Sequence, residues 1–522
     1  MSVVLFILII ILSLLVYYFS TRKFNYWKKK KVPHPTPVPL FGNYAEYIQM
    51  RKFSAEVLQE LCRKFPNEPY FGTYFGTEPA LVILDPEIIK LIFTKDFYHF
   101  NSRELYEYTT KEVITQNLFF SYGDKWKVIR QNMTPLFSST KLKNMFYLID
   151  KCGHSFEKLL DYETSLSDTL EAKALMIRYT MDCICSCAFG FEANTMERNA
   201  EKNPFTIMGS LIFGTSYYRG FKTITRQMWP HLFYGVGLKT FPPSINDFFH
   251  KLIVGVFESR NYEPSTRHDF VDLILTFYKN QYLEGDQLSN IKTGENKKIK
   301  LEVNDELLVS QCVVFFAAGF ETSATALSLT LYELAKNQEA QTRAMEEIDD
   351  YLRRNKNKLT FDCQKELTFV DACVSEVLRL YPVLGILTRE TTEEYTFPSG
   401  LTIEKGVRIH LPTYHLHRHP DNFPDPDEYK PERFLPGAQH AIKPYTFFPF
   451  GEGPRTCIGM RFSKMQVIPG LITFLKKYRV ELAPGMPRKL RLATTTLLLQ
   501  PGDLLNLKLT PRAGWEERVY SN

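Results

Sequence analysis

A chain of 522 residues, 44% of them hydrophobic, can bury a large core as one big domain or two, and length alone does not choose. Its net charge of +6 is mild for this size, and no basic stripe interleaved with aromatics points to nucleic acid. Nine cysteines, an odd number scattered without disulfide-like spacing, fit thiols kept reduced in the cytosol rather than a disulfide scaffold.

Val3 to Phe19 is an almost unbroken apolar run, followed by Arg22, Lys23 and Lys28 to Lys31, so residues 1–22 read as a single transmembrane anchor. The cations lie only on its C-terminal side, which keeps the following chain in the cytosol. A cleaved signal peptide fits less well, because its charge precedes the apolar region and a small-residue cleavage site follows. Residues 23–40 are basic and then proline-rich, with Pro33, Pro35, Pro37 and Pro39 forbidding helix, and predict a stiff extended linker. The main domain then occupies 41–510 and leaves a short tail, 511–522. Between Tyr70 and Leu84, β-branched and aromatic residues broken by Gly and Pro predict a small hairpin sheet. Trp126 and Arg130 are four apart and share one face if helical. Cys183, Cys185 and Cys187 would point different ways on a helix, which suits core filling better than a metal site. From Met208 to Pro243 aromatic and basic residues mingle, a composition that fits either ordinary core or a membrane interface. The polar stretch Gly285 to Lys300 predicts a solvated loop.

A long helix follows, N-capped by Asn304, with Asp305 and Glu306 in its first turn and no proline to about Ala335. Gly319 inside it costs about 1 kcal/mol against alanine, so its missing side chain predicts a notch, with the Thr322 hydroxyl beside it. Glu376 and Arg379 put opposite charges three apart on an apolar helix ended by Pro382, and such charges need partners if buried. His415, His417 and His419 alternate, but Pro420 and Asp421 make this a turn rather than a zinc site. Gly451-x-Gly453 and Gly235-x-Gly237 lack the third glycine of a dinucleotide loop, so no flavin or NADPH site is evident and electrons must come from another protein. Finally, Phe450-Gly451-Glu452-Gly453-Pro454-Arg455-Thr456-Cys457-Ile458-Gly459 delivers one cysteine at the mouth of an apolar helix. The helix N-terminus and Arg455 there predict a stabilised thiolate, a soft ligand for iron, and the glycines admit a flat ligand.

Phe450, Gly453, Cys457 and Gly459 resemble the haem-binding motif of the cytochrome P-450 superfamily of haem-thiolate monooxygenases. Four further stretches match that family in order: Trp126-x-x-x-Arg130, Ala317-Ala318-Gly319-Phe320-Glu321-Thr322-Ser323, Glu376-x-x-Arg379, and Pro431-Glu432-Arg433-Phe434. The resemblance covers about residues 40–510 and implies a mainly α-helical fold with a smaller β region around haem b. It makes Cys457 the axial iron ligand and Trp126, Arg130, Arg389 and Arg455 propionate contacts. Gly319 becomes a groove for dioxygen, Thr322 and Glu321 proton guides, and Glu376, Arg379 and Arg433 a structural lock. By family position the substrate pocket involves Phe119, Phe120, Phe213, Tyr217, Phe315, Ala318, Leu384 to Leu387, Leu497 and Leu498. Details of the motifs look most like insect microsomal members that oxidise xenobiotics, on the cytoplasmic face of the endoplasmic reticulum, with NADPH-cytochrome P-450 reductase as electron donor and cytochrome b5 as a second candidate. Hormone or lipid biosynthesis on the same scaffold, and a haem protein that only binds or senses ligands, stay open as other readings. Pro469-Gly470 departs from the family pattern and predicts a kink in the helix after Cys457, which puts the partner-docking face in doubt.

Overall fold

The computed structural model describes residues 2–104, 111–267 and 269–521. Helix α1 (Ser2–Thr21) keeps its apolar side chains exposed, and its stretch Val3–Thr21, of mean hydropathy 2.8, is long and apolar enough to cross a membrane. The segment after it is extended, as its prolines predict, and it is docked on the domain. Trp27 is fully buried, its Nε1 donates to the Thr73 carbonyl at 2.8 Å, and its ring lies 2.4 Å from where a Cβ on Gly72 would be. The prolines do keep the backbone extended, but burying an indole outweighs the freedom of a tether. The C-terminal tail is docked as well: Tyr520 is buried, shares a 2.7 Å hydrogen bond with Thr473, and carries the Lys476 ammonium over its ring.

Strands β1 (Tyr70–Phe75) and β2 (Glu78–Ile83) form the expected antiparallel hairpin, as part of a larger sheet. With β3 (Leu387–Glu390) and β4 (Arg408–Leu411) they make four strands in the order β1-β2-β4-β3. The β2–β4 pair is parallel and the β3–β4 pair antiparallel, with Arg389 opposite Ile409. The polar stretch predicted as a loop is the connection of a second hairpin, whose strands Tyr282–Asp286 and Lys298–Glu302 take in its two ends. Its period of two, with Ile299 and Leu301 half-buried between exposed lysines, suffices for strands once Gln131 and Asn132 supply hydrogen bonds to Asp286 and Glu284.

Six helices build the site: α2 (Gly123–Met133), α3 (Ala172–Ile184), α4 (Tyr217–Met228), α5 (Asp305–Lys336), α6 (Thr368–Leu380) and α7 (Met460–Leu475). Helix α5 starts as expected, with the Asn304 side chain accepting the Leu307 N–H at 2.9 Å, and it is apolar nearly all round because it runs through the core. Helix α7 is one element through Pro469, the residue at which a kink is expected. Tyr179 of α3 holds it there: its hydroxyl donates to the Gln466 carbonyl at 3.0 Å, and its ring occupies the space of a Gly470 side chain, whose Cβ would fall 2.8 Å from it. The cysteines at 183, 185 and 187 are all buried core residues.

Three imidazoles are buried without charge. Burial, with help from Arg408, takes His410 down to about 3; burial with Arg379 and Arg418 takes His417 to about 3; burial with His419 and Arg63 takes His415 to about 4. In the unfolded chain each titrates near 6.5, so stability present above that pH is lost as the unfolded state binds protons the folded state refuses. At pH 5 each imidazole removes about 2 kcal/mol. Urea unfolding at pH 7.5 and pH 5 should show this loss, and His415→Gln should remove about a third of the imidazole-linked part.

Candidate active site

The cysteine loop is fixed by its own backbone. Gly451 N–H donates to the Phe448 carbonyl at 2.9 Å and Cys457 N–H to the Phe450 carbonyl at 2.8 Å. Gly453 sits at φ +69°, and a Cβ there would fall 1.9 Å from the Phe93 carbonyl oxygen, so no other residue fits. The loop leaves Cys457 just before α7, its side chain exposed to a central cavity of about 1050 Å³. Gly459 leaves that side open, since a Cβ on it would reach only the Cys457 sulfur, at 4.0 Å.

Phe119, Phe120, Phe213, Phe315, Ala318, Leu384, Leu387, Leu497 and Leu498 all line this cavity, as do Phe137, Ile184 and Phe241. Tyr217 does not. It is 78% exposed at the start of α4, whose inner face turns Arg219, Thr223 and Arg226 toward the cavity instead. A family position fixes a segment but not the rotation of an amphipathic helix.

On the far side, Thr322 of α5 faces the cavity, and its hydroxyl donates to the Ala318 carbonyl at 2.9 Å. Gly319 lines the cavity too, but its missing side chain makes room for a neighbour: a Cβ would lie 2.5 Å from Ile184 of α3. The missing side chain thus serves a close helix crossing at a position that also lines the cavity. Glu321 points away from the cavity, buried, with its carboxylate taking Lys173 Nζ and Gln500 Nε2, each at 2.8 Å. Gln500 lines the cavity, so Glu321 reaches it only through that amide. Lys173 and Gln500 carry no motif and were not legible in the sequence.

Around Cys457 stand four guanidiniums: Arg130, Arg389, Arg455, and Arg103, which sequence reasoning misses because it stands in no motif. Arg130 donates to the Thr456 carbonyl at 2.9 Å, Arg103 to the Phe119 and Arg455 carbonyls at 3.2 and 3.3 Å, and Arg455 to those of Phe119 and Ser121. Arg455 also lies 4.8 Å over the Trp126 ring. Burial brings Arg103 down to about 10 and Arg389 to about 9 and lowers Arg130 and Arg455 as well. Repulsion from neighbouring arginines adds to this at Arg103, Arg389 and Arg455, whereas the Cys457 sulfur opposes it at Arg103 and Arg130. The Nε of Arg389 and of Arg455 are buried and carry no hydrogen bond. Clustered cations of this kind call for an anion.

The sulfur itself is held back by burial, which raises its pKa, against the Gly459 N–H and the charges of Arg103 and Arg130. Arg455, expected to help, is not among the charges acting on it. A coordinated metal ion deprotonates such a thiol outright. An iron porphyrin with its two carboxylates would fit this donor set: Cys457 would offer a soft ligand, the four cations would meet the carboxylates, and the aromatic walls would take the flat ring.

The comparisons agree. The family model for Cytochrome P450 matches residues 32–508. The chain belongs to the cytochrome P450 family. It is 34% identical to cytochrome P450 6B2 of Helicoverpa armigera over 96% of this chain and 97% of that one. It is 33% identical to cytochrome P450 6a2 of Drosophila melanogaster over the same shares, and 35% identical to cytochrome P450 6B5 of Papilio glaucus over 91% of this chain and 97% of the relative. Membership makes the chain a monooxygenase that uses haem with a cysteine thiolate and dioxygen, and P450 enzymes draw electrons from redox partners to oxidise small molecules. The scaffold pair is also in place: Arg379 grips Glu376 through two hydrogen bonds of 2.7 Å, both fully buried, and Arg433 Nε stands 3.5 Å from the same carboxylate.

Proposed function

We propose that this P450 is a membrane-anchored monooxygenase of the endoplasmic reticulum that inserts one oxygen atom into apolar xenobiotics such as insecticides or plant toxins. The observation that carries the reading is the placement of Cys457 and Thr322 in one aromatic-lined cavity of about 1050 Å³. Helix α1 supports the membrane address, and the exposed Tyr217, Tyr218, Phe221, Leu232 and Val236 support a second contact with lipid. NADPH-cytochrome P-450 reductase would supply the electrons, with cytochrome b5 as a second donor.

Haem b, bound through Cys457, supplies the redox chemistry of oxygen activation. Arg103, Arg130, Arg389 and Arg455 would bind its propionates and fix its plane. The phenylalanine walls exclude water and hold an apolar substrate by burial. Thr322 holds a hydroxyl at the cavity wall, and Gln500, which lines the same cavity, connects it to the buried Glu321 and Lys173, the groups that would supply protons. Reconstitution with haem and reductase tests the whole: the reduced protein under carbon monoxide should show its main band shifted far to the red, and NADPH should drive oxygenation of an apolar panel compound. Thr322→Ala should lower product formation on the order of a hundredfold while NADPH oxidation persists. Unchanged product per NADPH would remove Thr322 from proton delivery.

A further inference from the structure

Among the alternating histidines, His417 is fully buried and belongs neither to the cavity nor to a metal cluster. Its ring Nε2 accepts the backbone N–H of Phe448 at 3.0 Å. Its carbonyl accepts Arg379 Nη1 at 2.9 Å, and the same guanidinium grips Glu376. From Phe448 the backbone bonds run on into the cysteine loop: the Phe448 carbonyl takes Gly451 N–H, and the Phe450 carbonyl takes Cys457 N–H. Phe447 and Phe448 flank the imidazole at ring distances of 5.0 and 5.5 Å.

We propose that His417 is the positioning residue that ties the cysteine loop to the buried Glu376–Arg379 pair and so sets where the Cys457 sulfur stands. The chemistry required of it is narrow. The ring must accept at Nε2, so it must be neutral, and Arg379 and Arg418 beside it oppose a second charge. Among the described residues these two arginines are the charges that act on the ring, and the backbone of Leu378 and Arg379 favours its protonated form. A protonated imidazole would confront the Phe448 N–H with a second donor and release the first bond of the loop. The proposal rests on the haem-thiolate reading and adds a residue to it.

The test compares three full-length proteins loaded with haem: the natural chain, His417→Phe, which keeps a ring but loses the acceptor, and His417→Gln, whose amide oxygen can replace Nε2. The readout is the carbon monoxide spectrum of the reduced form, divided into its red-shifted thiolate band and the band of haem that has lost the thiolate. We expect His417→Phe to convert at least half of the bound haem to the second form and His417→Gln to restore the first. Thermal unfolding of each variant is followed alongside. If His417→Phe lowers only the melting temperature and keeps the full thiolate band, the residue is merely structural and the proposal falls. If His417→Gln behaves like His417→Phe, the acceptor argument falls. If the natural chain itself shows no thiolate band, it is the haem-thiolate reading that fails. Where His417→Phe does not fold, His417→Asn takes its place, its shorter amide falling short of the Phe448 N–H: a partial second band that His417→Gln lacks is expected, and a full thiolate band in His417→Asn would overturn the proposal.

Discussion

Cys457→Ala is expected to abolish monooxygenation while leaving the chain folded. The Cys457 side chain faces the cavity rather than the core, and the bond that shapes the loop comes from its backbone N–H, which alanine keeps. Unfolding in urea should change by less than about 1 kcal/mol, as for substitutions away from packed features. The red-shifted carbon monoxide band should disappear, because only a thiolate gives the electron donation behind it. Retained colour with an unshifted thiolate band would remove Cys457 from the metal and with it the functional assignment.

Arg379→Met should have the largest effect on folding. Both members of the Glu376–Arg379 pair are fully buried, so removing the cation strands a carboxylate that keeps the Lys430 N–H at 2.9 Å and Arg433 at 3.5 Å. The carbonyls of His417, Pro426 and Glu428 lose their guanidinium donor at the same time. Breaking a buried pair this way costs roughly 3–5 kcal/mol, a large part of the stability of an ordinary domain. Replacing Arg343, whose ion pair with Glu432 is about half exposed on both sides, should cost less than about 1 kcal/mol and serves as the control. Equal losses in the two variants would show that burial does not govern the scaffold pair.

The sequence carried the site wherever chemistry depends on neighbours along the chain. The cysteine loop is legible because its glycines answer to local constraints, most of all Gly453 against Phe93. Glu376 with Arg379, and Gly319 with Thr322, are legible because helical spacing places each pair together. Arg103 was not, since it is brought to the sulfur by the fold alone and stands in no pattern. The same holds for Ile184 filling the space beside Gly319, for Gln500 and Lys173 gripping Glu321, and for His417, which looked like part of a turn. For residues 23–40 the docking of Trp27 was not legible, because prolines report backbone stiffness but not the surface underneath.

By itself, then, the amino-acid order determined an apolar N-terminal helix long enough to cross a membrane, a long buried helix with its N-cap, a cysteine held in a glycine loop, and through these the family. The tertiary structure decided which charges act on the sulfur, which way Glu321 and Tyr217 face, and what each glycine makes room for. The division has one physical cause. Turn geometry, capping and helical phase are set within a few residues, whereas burial, electrostatic shifts and close packing depend on atoms that only folding brings together.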